Sequence, residues 1–210
     1  MRQVLALALI AAVAPLFVAV AVPSASAKAP EPSIYPIAWQ FDFKHGAPRR
    51  IVVDNTPYWY VTYTVTNNTG QEQEWRPEFT MMTNEGKLVK SDRDIEPGVF
   101  DKIKAIEGGR FLQPRLQVVG PLRQGPDQAK DSVAIWKEPQ PRMGSFKIFI
   151  GGLSGEFVIL KDDNGNEKKG PDGLPVILHK TLQLDYQVIG DERNPQTHDL
   201  QELGQKWVMR

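Results

Sequence analysis

The stretch Tyr58-Trp59-Tyr60-Val61-Thr62-Tyr63-Thr64-Val65-Thr66-Asn67 decides the fold class. Trp59, Val61, Tyr63 and Val65 fall on one face of an extended chain, and Tyr60, Thr62, Thr64 and Thr66 on the other, because strand side chains alternate with a period of two. β-Branched and aromatic residues fill both rows, as strands favour. The pattern predicts a central strand with one face inward. It ends at Asn67-Asn68-Thr69-Gly70, where Asn and Gly accept the positive φ of a turn. Asn67 also opens an Asn-x-Thr sequon, which matters only in a host that glycosylates.

On the N-terminal side, Trp39, Phe41 and Phe43 alternate with Gln40 and Asp42, so the folded part is expected to start at Ile37, with a short strand over Ile51–Val53. On the C-terminal side, Trp75–Thr83 and Lys87–Val89 read as strands joined by the turn Asn84-Glu85-Gly86. Pro97–Ile106 is the one helical stretch. Pro97 suits a first turn, Val99, Ile103 and Ile106 share a face, and Gly108-Gly109 ends it. Gln117–Val119, Asp131–Lys137, Phe146–Ile150, Phe157–Lys161 and Pro175–Ile189 are further strands between Gly and Pro punctuation. About seven to nine short antiparallel strands at this spacing predict an all-β sandwich, with a closed barrel as the alternative.

Residues 1–27 carry the three parts of a secretory signal: Arg2, an apolar run from Val4 to Val22, and the small-residue end Ala25-Ser26-Ala27. An uncleaved membrane anchor is the competing reading. A mature chain from Lys28 is therefore expected in the periplasm, on the cell surface or secreted, with no later membrane span. Residues 28–36, with Pro30, Pro32 and Pro36, read as a tether. Residues 37–190 read as the sandwich and 191–210 as a polar tail. In that tail Leu200, Leu203 and Trp207 fit either a short docked helix or a last edge strand.

The run Tyr60–Gly70, then Phe79 and Asn84-Glu85-Gly86, resembles the opening of immunoglobulin-like domains in exported bacterial proteins. Val133-Ala134-Ile135-Trp136 and Phe146–Ser154 resemble their later strands. With the Trp207-Val208-Met209-Arg210 ending, the chain is similar to exported proteins of planctomycete-type bacteria. The resemblance implies an immunoglobulin-like sandwich and transfers no catalytic residue.

The chain has no cysteine, which excludes a thiol nucleophile, thiolate-bound zinc and a cysteine-linked lipid. Its 25 basic and 25 acidic residues balance, and no basic patch calls for nucleic acid. His45, His179 and His198 lie in separate segments without metal-ligand spacing. Gly152-Leu153-Ser154-Gly155 approaches a nucleophile elbow, but Glu156 replaces the second glycine and a strand follows. Asp162, Asn164 and Asn166 open like a calcium loop. Glu167 then replaces the turn glycine, and Gly173 replaces the bidentate glutamate. Neither metal nor cofactor is expected. Trp59 reads as core and Trp39, Trp136 and Trp207 as core or half-buried. Trp75, between Glu74 and Arg76, reads as the exposed aromatic anchor of a binding site.

These features favour a non-catalytic interaction domain that binds an envelope protein or polymer through sheet edges or end loops. The alternatives are a carbohydrate-binding module, a carboxylate-dependent hydrolase and a self-associating envelope component. An unprotected long edge strand favours the binder, and a pocket with two converging carboxylates favours the hydrolase.

Overall fold

A computed structural model describes residues 29–108, 111–196 and 199–210. The signal segment and His198 lie outside the described residues. Twelve strands are described in chain order: β1 Asp42–His45, β2 Arg49–Val53, β3 Thr56–Thr66, β4 Gln73–Trp75, β5 Glu78–Thr83, β6 Leu88–Lys90, β7 Gly120–Leu122, β8 Lys130–Lys137, β9 Ser145–Gly151, β10 Phe157–Ile159, β11 Ile177–Val188 and β12 Leu200–Met209. Two helices, α1 (Val99–Glu107) and the single turn α2 (Arg115–Val118), lie between β6 and β7. The fold is an all-β sandwich of antiparallel strands, with more strands than expected because several span only three residues.

In the smaller sheet β3 is central, with β8 on one side and β1 and β2 sharing the other. Asp42 to His45 face Thr66 to Tyr63, and Arg49 to Val53 face Tyr60 to Thr56, so β1 and β2 are two halves of one interrupted strand. A two-residue turn joins β2 to β3, with Asp54 and Asn55 at φ 49° and 64°. Both residues tolerate that region, and this turn's twist matches a hairpin.

The larger sheet runs β12, β11, then β9 with β10, then β5 and β6. β10 continues the line of β9 along β11, because Phe157 faces His179 where Ile150 faces Leu182, and Lys180 N–H donates to the Glu156 carbonyl. β6 and β12 are thus its lateral edges, and β10, paired with β11 alone among the described strands, is a third, three-residue edge.

The core lies between the sheets. Trp59, Val61, Tyr63 and Val65 all enter it, as their alternation requires. They meet the other sheet through aromatic pairs, Tyr63 with Phe79 at 4.8 Å and Trp59 with Phe146 at 5.3 Å. Such pairs add to the stabilisation given by burial alone. The opposite face of β3 is not simply solvated. Tyr58 and Tyr60 pack with Val53, Val133 and Ile135 beneath Val99 and Ile103 of α1, forming a second small core.

Three expectations need correction. Trp75–Thr83 is not one strand: the chain breaks at Arg76-Pro77, where proline lacks a ladder donor, and β4 pairs with β7 instead. Gln117–Val119 is not a strand but the end of α2, started by Pro114 in extended conformation. Ile106 does not share the buried face of α1 and is largely exposed. In the tail, the strand alternative holds from Leu200 to Met209.

Candidate interaction surface

Trp75 is fully buried, packed edge-on against Phe41 at 5.7 Å and near Tyr63 at 6.2 Å. Its charged neighbours point outward because strand residues alternate, so the exposed anchor is not this residue. Asp162 accepts the backbone N–H groups of Asn164 and Asn166, both at 2.9 Å, and the side-chain amide of Asn166. The Asn166 N–H and those beside it hold its carboxyl below the usual carboxylate range. Its carboxylate closes the turn from within. Ser154 donates to the Trp39 carbonyl and accepts from the Glu156 N–H, so its hydroxyl is a structural tie. His45 lies in β1, stacked on Phe43, while His179 lies in β11 of the other sheet. Among the described residues no group of His, Asp and Glu side chains converges to hold a metal ion.

What the fold does assemble is a clamp at the start of β11. Lys180 sits on the inward row that continues through Leu182, Leu184 and Tyr186, and its side chain is 2 % exposed. A buried ammonium needs a partner. Glu156, just before β10, supplies it at 3.0 Å. Ser33 then bridges both: its N–H donates to Glu156 Oε1 at 2.7 Å, and its carbonyl accepts from Lys180 Nζ at 3.1 Å. Burial pushes the Glu156 carboxyl up, but the Ser33 N–H and Lys180 outweigh it and hold the group below its ordinary range. The indole of Trp207 lies 5.2 Å from the ammonium.

The clamp fixes the chain that precedes β1. Residues 33–41 run along the connection 153–156, with Gly155 N–H donating to Trp39 O at 3.0 Å and Phe41 N–H to Leu153 O at 2.9 Å. Gly155 is required there, since a Cβ would lie 2.4 Å from the Trp39 indole nitrogen. The second half of the expected tether is therefore a strap. Between its two anchors, Ile34, Tyr35 and Ile37 stand 92 %, 81 % and 74 % exposed. Three large apolar side chains in four residues, pinned at both ends, form an apolar arch.

β12, on the other side of β11 from the strap's contacts with residues 153–156, is an edge strand ten residues long. His179 and Arg210 exchange both main-chain bonds, at 2.8 and 3.0 Å. The antiparallel register then turns the main-chain groups of Val208 and Lys206 towards β11 and those of Met209, Trp207 and Gln205 away from the sheet. No other strand among the described residues pairs with that outer side. A bulge at Gly204, φ 136°, interrupts the strand, so the regular open edge runs from Gln205 onward. Met209 faces Lys180 across the ladder, and Lys180 holds Ser33. Lys180 thus links the two features: its main chain lies beside Met209 of the edge, and its ammonium holds Ser33 at the base of the arch.

A second concave feature lies on the outer face of the smaller sheet. A cavity of about 420 Å³ is lined by His45, Thr62, Thr64, Glu107, Phe111 and Asp131 among others. It brings two carboxylates to one place, but each already serves the fold. Glu107 accepts from Arg49 at 2.8 Å and from the Tyr60 hydroxyl at 2.7 Å, and Asp131 accepts from Thr64 at 2.5 Å. Burial and then Glu107 push the Tyr60 phenol up to about 12, so it remains a donor. No helix of the described residues is long and apolar enough to cross a membrane. No protein-family model, curated protein or solved structure matches the chain.

Proposed function

We propose that the chain is an exported, immunoglobulin-like interaction domain that holds an extended segment of a protein in the cell envelope by strand addition at β12. The observation that supports this reading is the open edge at Gln205, Trp207 and Met209, joined through Lys180 to the strap that carries the exposed Ile34, Tyr35 and Ile37. Strand addition takes affinity from main-chain hydrogen bonds and specificity from side-chain contacts. The edge offers the first and the arch the second. Holding the arch with a buried ion pair lowers the ordering cost of binding.

Met209→Pro tests the reading, because the Met209 N–H points away from β11 and its loss leaves the existing ladder intact. The chain recovered after export and its M209P variant are each used to capture partners from native envelope extract. A partner retained by the wild type and released by M209P is the expected result. Equal retention by both overturns strand addition.

A further inference from the structure

We propose that the segment received at β12 is β12 of a second copy of this chain, paired antiparallel about a two-fold axis through Trp207. The inference rests on the strand-addition reading and names the partner. Antiparallel pairing joins residues whose main-chain groups point at each other, so the narrow pairs must form among Gln205, Trp207 and Met209. That leaves few symmetric registers.

Centred on Lys206, two lysines face each other directly. With the axis at Val208, Lys206 faces Arg210 of the second copy on both sides. Like charges directly opposite destabilise a sheet. A register centred on Gln205 runs through the Gly204 bulge, and one centred on Met209 pairs only Met209 of the three outward residues within the strand. Centred on Trp207, Gln205 meets Met209 of the second copy, Lys206 meets Val208, and the two Trp207 residues meet on the axis. This register sets no like charges opposite and uses every outward main-chain group of the regular edge.

An isologous contact of this kind joins the two larger sheets into one and removes both open edges at once. In each copy Lys180, one strand in from the seam and opposite Met209, ties the pairing strand to the strap through Ser33. Trp207 is already half-buried on the core side, so its partner extends an existing apolar row.

The register makes a charge test possible at Val208, a half-exposed position. V208E sets a carboxylate opposite Lys206 of the second copy on each side of the axis, and V208K sets an ammonium there. Sedimentation of the chain recovered after export, from micromolar to millimolar concentration, measures the dimer constant for each. Thermal midpoints confirm that the variants fold. Two cross-strand charge pairs predict that V208E tightens the dimer about two- to thirty-fold and that V208K weakens it by a similar factor. K206E combined with V208K restores it.

A monomer throughout the range for wild type and V208E overturns the proposal. So does weakening by both V208E and V208K, which belongs to the register centred on Val208. If the chain is monomeric yet M209P still releases a captured protein, the edge binds another chain and only the self-pairing fails. If a dimer forms that neither M209P nor the Val208 variants disturb, strand addition at β12 fails as well.

Discussion

Replacing Lys180 with methionine tests how firmly the strap is tied to the sandwich. K180M keeps an unbranched side chain of similar reach and removes the ammonium that pairs with Glu156 at 3.0 Å. The Glu156 side chain is 4 % exposed, so the variant leaves a buried carboxylate with the N–H and hydroxyl of Ser33 but no cation opposite it. Removing one partner of a buried pair costs about 3–5 kcal/mol. With a urea m-value of about 2 kcal/mol per molar, the unfolding midpoint at pH 7 falls by roughly 2 M.

The pH dependence follows from the same pair. In the wild type the folded-state pKa of Glu156 is depressed, so its stabilisation is present above the unfolded carboxyl value and is lost as pH falls through the folded value. In K180M the carboxyl loses the hydrogen bond and charge of Lys180, so its pKa rises relative to the wild type and protonation in acid relieves the variant. The gap between wild type and K180M therefore narrows from pH 7 to pH 4. The double variant E156L/K180M, which buries no charge, regains most of the loss. A gap that stays constant or widens in acid, or a double variant less stable than K180M, refutes the clamp.

Other consequences follow from single contacts. W59A lowers stability by about 3–5 kcal/mol in denaturant titration, whereas T62A costs well under half as much, because only Trp59 is fully buried between the sheets. Alanine at Gly155 drives a Cβ into the Trp39 indole and costs about 1–3 kcal/mol; an unchanged thermal midpoint would show that the strap is not seated there. Because Asp162 binds its own loop, millimolar calcium or a chelator leaves the thermal midpoint unmoved, and a large upward shift contradicts that account. If the proposed export holds, N-terminal sequencing of the chain recovered from its native host starts at Lys28, and material starting at Met1 in a membrane fraction opposes it.

Legibility in the sequence follows burial. β3 was readable because both its rows are apolar or β-branched and the inner row never breaks. α1 is legible in the Val99–Ile103 spacing and the Gly108 cap, which adopts φ 58°, whereas Pro97 precedes the Gly98 N-cap and does not form the first turn. β12 was left open between helix and strand because an exposed edge has no apolar face, and Gln201-Glu202-Leu203-Gly204-Gln205-Lys206 carries no period. Charged neighbours suggest exposure for Trp75, but a half-buried strand sets such residues beside its inward ones, and Trp75 is fully buried. The clamp joins residues far apart in sequence, beyond any local pattern. One local signal for it existed: Lys180 occupies the inward row of β11, where a charge needs a partner.

Residue-by-residue amide exchange along β12 tests the central claim most directly. In dilute solution the amides of Lys206, Val208 and Arg210, bonded to β11, exchange slowly, and those of Gln205, Trp207 and Met209 exchange fast. Raising the concentration of the chain, or adding a captured partner, then protects Gln205, Trp207 and Met209 while leaving the other three unchanged. Protection of all six at high dilution means that the edge is already covered within one chain. Fast exchange at Gln205, Trp207 and Met209 under every condition means that nothing pairs there, and either result contradicts the assignment of β12 as the binding edge.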